Sequence, residues 1–266
     1  MNSLETMLYD TTADVIRKAL RGLDLAPSEA AARCGLSERE VISASRGPAF
    51  RETLLLLAPA LGLNPQALAG LADYHPPASS LPEIIRLELP FEDETVNAWL
   101  VKAGPEDHLL FDTGPHSQAI RNALDEQSVG EVHVLITHEH GDHVDGLASL
   151  KGRTRSVAMP QTDAKPGNHL KFGHVTVEVI DLPGHCQGAV GYYIRGLAQP
   201  VCVTGDALFA GSMGGCAPDG PYQVALDALR ARVLTLPDET ILLTGHGPET
   251  TVGSEKLGNP FLATGR

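Results

Sequence analysis

Cysteine is too sparse here to organise a fold. Cys34, Cys186, Cys202 and Cys216 form no Cys-x-x-Cys pair, so neither a disulfide framework nor a thiolate zinc site is indicated, and a reducing compartment fits. Long apolar runs are missing as well. No segment is long enough to span a bilayer, and the start, Met1 to Thr11, has an acidic flank without the apolar stretch of a signal peptide. A soluble, cytoplasmic protein with no membrane partner is expected. Positive charge is short: the formal net charge is −13, of which −2 lies within Met1 to His75 and −11 beyond it. Such a field repels nucleic acid and anionic membranes, which leaves a small molecule as the expected substrate. Neither an internal repeat nor a low-complexity tract is present.

What is present suffices for a sizeable core. A chain of 266 residues with 42% hydrophobic content can bury one large domain with a smaller one attached. The stretch His75 to Pro82, H-P-P-A-S-S-L-P, resists helix and central strand, and divides the chain into 1–75, a linker at 76–82, and 83–266. Before it, Thr12 to Tyr74 is rich in Ala and Leu, with apolar residues at helical spacing such as Val15, Ala19, Leu20 and Leu23. Short helices are expected there. Pro27, Ser28 and Glu29 mark a start and Gly35 a stop; Ser37 with Glu40 forms a capping box, and Gly47 marks a second stop.

After the linker, β-runs alternate with Gly and Pro turns: Ile84 to Leu89, Val96 to Val101, Leu109 to Phe111, Val132 to Thr137, Val175 to Ile180, Val190 to Ile194, Val201 to Thr204 and Ile241 to Thr244. Helical patterns at Ser117 to Glu126, Val144 to Leu150 and Tyr222 to Leu234 fall between them, which predicts a layered α/β fold.

The chemistry sits at strand ends. Thr137 to Asp145 reads T-H-E-H-G-D-H-V-D, placing His138, His140, Asp142 and His143 immediately after an apolar β-branched run. Imidazoles beside a carboxylate suit Zn, Fe or Mn. Three later runs end the same way, in Gly184-His185, in Gly205-Asp206 and in Gly245-His246-Gly247. Any one of these side chains alone would read as structural; the repeated arrangement reads as a site. His108, His116, His133, His169 and His174 lack that setting.

These residues resemble a metallo-β-lactamase-fold hydrolase over roughly Leu81 to Leu262. His138, His140, Asp142 and His143 match the family's His-x-His-x-Asp-His motif, and His185, Asp206 and His246 follow in the order of its later ligands. The resemblance implies a four-layer αββα sandwich, preceded here by a small all-α domain, with a binuclear site at one edge. By that pattern two divalent ions, Zn with Fe or Mn as alternatives, would be held by His138, His140 and His185 and by Asp142, His143 and His246, with Asp206 bridging. Asp112, in L-F-D-T-G, would orient ligand imidazoles without binding metal. A water between two cations loses its proton near neutral pH and becomes the nucleophile, with Asp142 as its orienting or deprotonating catalytic group.

The tail Gly245 to Leu262 and the run Gly205 to Gly214, G-D-A-L-F-A-G-S-M-G, are similar to the glyoxalase II (hydroxyacylglutathione hydrolase) group, which implies a thioester substrate; Ser212, Met213 and Tyr222 are the expected substrate-side residues. The next residues, Gly214 to Asp219, depart from that group's Gly-Arg-x-Asp, and no Lys or Arg occurs from Val201 to Leu229 to meet glutathione carboxylates. A mononuclear-iron persulfide dioxygenase using His138, His185 and Asp206 is the alternative reading, and a lactonase with Tyr222 or Tyr192 as a substrate-side hydroxyl is another.

Pro27 to Leu71 resembles the helix-turn-helix of Cro/repressor-like regulators, so a DNA-binding sensor is the non-enzyme alternative. Its would-be recognition helix, Ser37 to Ser45, sets Glu38 and Glu40 beside Arg39, and glutamates facing phosphates repel. A packing unit, a homodimerisation module or a lid near the site is expected instead.

Overall fold

The computed structural model describes residues 7–115, 117–218 and 220–264; His116 and Asp219, both named above, lie outside the described residues, as do residues 1–6. The chain opens with helices α1 (Thr12–Gly22), α2 (Pro27–Cys34), α3 (Glu38–Ala44), α4 (Arg51–Ala60) and α5 (Pro65–Gly70). Their boundaries follow local chemistry. Ser37 accepts from the Glu40 amide while the Glu40 carboxylate takes the Ser37 amide at 2.7 Å, and α2 stops at Gly35, whose φ of 73° suits a residue without Cβ.

Two sheets follow. The first is built from β1 (Ile84–Phe91), β2 (Glu94–Lys102), β3 (His108–Phe111), β4 (Val132–Leu135) and β5 (Thr154–Ala158), hydrogen-bonded in that order. Helix α6 (Ser117–Glu126) covers its outer face. The predicted helix over Val144 to Leu150 is instead a short α7 (Gly141–Val144) inside the histidine motif, followed by a 3-10 turn over Asp145–Leu150. The helix therefore starts earlier than apolar spacing suggests, since polar motif residues fill its first turn.

The second sheet has the order β13-β12-β9-β8-β7-β6, from β6 (His169–Phe172), β7 (Val175–Asp181), β8 (Val190–Arg195), β9 (Val201–Gly205), β12 (Ile241–Thr244) and β13 (Thr250–Thr251). A hairpin of β10 (Leu208–Phe209) and β11 (Ser212–Met213) separates β9 from α8 (Gly220–Ala228), and α9 (Val252–Gly258) follows β13. The result is the αββα sandwich.

Strand alternation assigns each side chain to a layer. In β2, Trp99 and Val101 join Phe111, Val177, Tyr192 and Leu243 between the sheets, whereas Ala98 and Leu100 meet Ile120 and Leu124 of α6. On the outer face of the second sheet, Cys202 and Leu242 belong to the same apolar cluster as Leu226 and Leu229 and as Ile16, Leu57 and Leu68 of the N-terminal helices. Each such Leu or Ile, fully buried, contributes about 1.5–3 kcal/mol of apolar transfer. The N-terminal helices thus pack into the fourth layer, and Tyr74 at their end donates to the buried Glu255 of α9 at 2.6 Å.

Candidate metal centre

Four strand ends meet at one edge of the sandwich. β12 is parallel to β9, and β7 runs the same way because β8 is antiparallel to both β7 and β9. β4, in the other sheet, runs on through Thr137, whose carbonyl accepts the Val190 amide at 2.9 Å and ties the two sheets at this edge. His138 to His143, His185, Asp206 and His246 come together as a consequence. Two glycines make room. A Cβ on Gly245 would fall on Asp206 Oδ1, and Gly205, at φ 50°, turns beneath Thr137 in a conformation that glycine adopts freely.

Three groups of possible metal-holding atoms converge: His138, His140 and His185; Asp142, His143 and His246; and His138, His143 and Asp206. His138 Nε2 and His185 Nε2 each lie 3.1 Å from His140 Nδ1. Two nitrogens on a tetrahedral zinc, with bonds of about 2.0–2.1 Å, stand roughly 3.3 Å apart, so this spacing suits a shared cation. In the second group Asp142 Oδ2 is 3.3 Å from His246 Nε2 and 3.6 Å from His143 Nε2. Asp206 faces both groups: Oδ1 is 3.2 Å from His143 Nε2, while Oδ2 is 3.6 Å from His185 Nε2 and from His246 Nε2.

The far nitrogens fix the tautomers. His143 Nδ1 lies 2.9 Å from Asp112 Oδ2, His185 Nδ1 2.9 Å from the Gly215 carbonyl, and His246 Nδ1 2.9 Å from the Thr95 carbonyl. His138 Nδ1 meets Thr137 Oγ1 at 3.0 Å, and that hydroxyl donates onward to Asp112 Oδ2 at 2.8 Å. With the proton on these four Nδ1 atoms, their Nε2 atoms face inward, while His140 turns its Nδ1 inward instead. Two inward atoms, His143 Nε2 and Asp206 Oδ1, are buried without a hydrogen-bond partner. Orphaned acceptors face to face cost about 1–3 kcal/mol each unless a cation lies between them. The residues present fit divalent metal on that ground.

Protonation agrees with donor roles at His138 and His185, whereas at His143 and His246 burial acts downward but the Asp206 and Asp142 carboxylates outweigh it, so each holds a proton that a bound cation would displace. Burial pushes the His138 pKa down to about 2, reinforced by His143, so its imidazole stays neutral. Burial lowers His185 likewise, only partly opposed by Asp206. For Asp206 burial acts upward, but His143 outweighs it and holds the carboxyl ionised, well below the ordinary range. Asp142 is lowered too: burial again raises, and the contact with His246 overcomes it.

The structure places the remaining predicted residues less uniformly. Asp112 is buried and holds Thr137 through its amide and hydroxyl, each at 2.8 Å, besides His143. Ser212, Met213 and Tyr222 are all buried, Ser212 and Met213 in the β10–β11 hairpin and Tyr222 in the apolar cluster against Gly22 and Phe261. Tyr192 is fully buried as well, its hydroxyl donated to the Ile136 carbonyl at 2.6 Å.

Two residues that the motifs missed hold the His246 turn. Asn97 bonds the carbonyls of Thr244 and Gly247 through Nδ2, at 3.0 and 2.8 Å, and the Gly245 carbonyl through its amide, at 2.7 Å. A polar residue inside the apolar run Val96 to Val101 was its signal. Tyr9 stacks on His246 with ring centroids 4.5 Å apart. No spacing rule reaches from residue 9 to residue 246.

A profile of the metallo-beta-lactamase superfamily matches residues 92–159. The Bacillus subtilis protein named probable metallo-hydrolase YqgX is 31% identical over 185 residues, which cover 58% of this chain and 86% of that protein. The chain belongs to the metallo-beta-lactamase superfamily. Within the superfamily it is also similar to the hydroxyacylglutathione hydrolase GloC of Haemophilus influenzae, at 28% identity over 62% of this chain and 92% of that one. Among solved superfamily structures, the B3 metallo-beta-lactamase BLEG-1 aligns with TM-score 0.57 and 26% identity over 68% of this chain and all of that one. TTHA1623 in a di-iron-bound form aligns with TM-score 0.55 and 29% identity, over 66% and 99% of the two chains. ETHE1 from Myxococcus xanthus aligns with TM-score 0.56 and 25% identity, over 67% and 84%. No helix among the described residues is long and apolar enough to cross a membrane.

Proposed function

We propose that the chain hydrolyses a thioester at a binuclear centre, with one cation on His138, His140 and His185, a second on Asp142, His143 and His246, and Asp206 between them. The observation that carries this reading is the Asp206 carboxylate, which turns one oxygen toward His143 and the other toward both His185 and His246. A carboxylate shared by two groups of donors suits a pair of cations better than one. Zinc is the metal we assign, from its preference for imidazole and carboxylate donors; the di-iron form of TTHA1623 makes iron the alternative.

When bound, two such cations supply an acidified water and polarise the attacked carbonyl. The protein's own groups then set the geometry. Asp206 is 8% exposed and Asp142 15%, so Asp142 is the carboxylate better placed to orient an incoming water and take its proton. His140 is exposed and the His185 side chain is partly so, at 18%, which favours approach of the substrate on that side. A thiolate departs without a strong general acid, and no Lys or Arg lies in the hairpin after Asp206 to serve as one. The similarity to GloC favours a glutathione thioester as the first substrate to try.

Elemental analysis combined with release of free thiol from S-lactoylglutathione tests the reading. Two metals per chain with thiol release supports it; one iron per chain with oxygen uptake on a persulfide overturns it in favour of a dioxygenase, the reading to which the ETHE1 likeness lends distant support. The N-terminal helices we take as a packing unit and not a DNA reader, because Glu38, Arg39 and Glu40 are the exposed residues that open α3. A salt-dependent, sequence-selective gel shift at low micromolar protein would reverse that assignment.

A further inference from the structure

The imidazole of His246, in the turn after β12, is held on its outer side by one hydrogen bond to the first sheet. Its Nδ1 meets the Thr95 carbonyl at 2.9 Å, which fixes the tautomer but leaves the ring free to tilt about that bond. Tyr9 closes this freedom. Its ring lies over the imidazole at 4.5 Å with an interplanar angle of 21°, and Phe209 stands edge-on to both, 5.0 Å from Tyr9 and 5.7 Å from His246.

Tyr9 is itself anchored on the site side. Its hydroxyl donates to Glu94 Oε2 at 2.8 Å, so neighbouring residues of β2, Glu94 and Thr95, hold the stacking ring and the imidazole respectively. Gly247, at φ 69°, permits the approach, because a Cβ there would come within 2.9 Å of Tyr9 Cβ. From α1, Lys18 reaches the same wall: its Nζ pairs with Asp10, bonds the Met213 carbonyl at 2.9 Å and lies 4.9 Å from the Phe209 ring centroid. Tyr9 lies well outside the span matched by the superfamily profile, residues 92–159.

We infer that Tyr9 is a positioning residue for His246, so that the segment leading into the N-terminal helices completes the half of the centre formed by Asp142, His143 and His246. The inference rests on the binuclear reading above but not on the thioester substrate. Outer partners that orient an imidazole typically change metal affinity by about 10–100-fold. Stacking on a flat face acts on orientation alone, so its loss is felt at one site and not at the other.

Zinc binding by the full chain, measured in competition with a chromophoric chelator, tests this. The proteins compared are wild type, Tyr9→Phe, Tyr9→Leu, Tyr9→Met, Glu94→Ala and His246→Ala. Tyr9→Leu is expected to weaken one of two zinc sites about 10-fold, the same site that His246→Ala abolishes, while Tyr9→Phe stays within about 3-fold of wild type. Glu94→Ala, a change at an exposed residue, breaks the same hydrogen bond as Tyr9→Phe and should likewise stay within about 3-fold; if Tyr9→Leu does not fold, Tyr9→Met, which keeps bulk without a flat face, carries the test with the same 10-fold expectation. Unchanged binding in Tyr9→Leu, equal weakening of both sites, or an equal loss in Tyr9→Phe overturns the inference. Wild-type stoichiometry is read in the same titration, so a single zinc per chain would be seen as a failure of the binuclear reading. Tyr9→Leu binding then shows separately whether the stack matters to any His246-dependent metal.

Discussion

Asp112 Oδ2 stands 2.9 Å from His143 Nδ1 and simultaneously accepts the Thr137 hydroxyl, so one carboxylate oxygen governs two of the imidazoles that face the centre. Asp112 adopts φ 60°, a left-handed conformation that costs a residue with a Cβ about 1–3 kcal/mol. The surrounding bonds hold it there.

Asp112→Asn keeps the shape but turns an amide toward donors. The His143 tautomer is then no longer enforced, and zinc affinity is expected to fall by about 10–100-fold. Chelator competition reads this directly. Affinity equal to wild type would mean that Asp112 orients nothing.

His140 differs from its neighbours in being exposed, whereas His138 and His143 are buried. His140→Ala should therefore leave thermal stability of the metal-free protein within about 0.5 kcal/mol, the usual range for a surface change, while removing most bound metal and activity. Unchanged metal content by elemental analysis would show that the motif has been misread.

Glu255 is fully buried and has no basic partner among the described residues; it accepts from Tyr74, Thr250, Asn259 and the Gly211 amide. Burial raises its carboxyl pKa, and these donors offset only part of that. A raised folded pKa means that the native state binds the proton more tightly than the unfolded chain. The cost of the charge is then complete above the folded pKa and is relieved as pH falls from there toward the unfolded value, in the mildly acidic range. Urea unfolding at pH 7 and pH 5 should show wild type gaining stability relative to Glu255→Gln at the lower pH. At pH 7, Tyr74→Phe should cost about 1.5–3 kcal/mol, the worth of a hydrogen bond to a charged group.

The thiols should separate by burial. Burial pushes Cys202 up to about 12 and Cys216 up to about 11, the latter eased by Lys18 and Arg21. At pH 8 both remain protonated and enclosed. Titration with a thiol-reactive disulfide at that pH should label neither until denaturant is added, whereas the partly exposed Cys34 and Cys186 should react in the native protein. Rapid native labelling of Cys202 would contradict the packing of β9 against the helical layer.

Central strands were legible because both of their faces are buried. The runs at Val96, Val132, Val201 and Ile241 show the apolar density that such strands need, and the structure has strands there. β5 and β6 were not legible, since each is a sheet edge: T-R-S-V-A and H-L-K-F leave Arg155, Ser156, His169 and Lys171 exposed and so form no apolar run. In the candidate centre, side-chain types at strand ends identified the residues that the fold brings together. Orientation was not readable. Ser212 and Met213 follow Asp206 closely in sequence, yet the hairpin turns both into the interior, while Tyr9 and Asn97 reach His246 and its turn only through tertiary contact.

The apolar cluster that joins Ile16 and Leu57 to Cys202 and Leu242 makes the 76–82 stretch a covalent convenience and not the bond that keeps the two parts together. A protease cut there should yield fragments that co-elute in native size exclusion and separate only in denaturant. Removing the N-terminal helices would expose that face of the second sheet to water, so in this chain the sandwich relies on them as its outer cover.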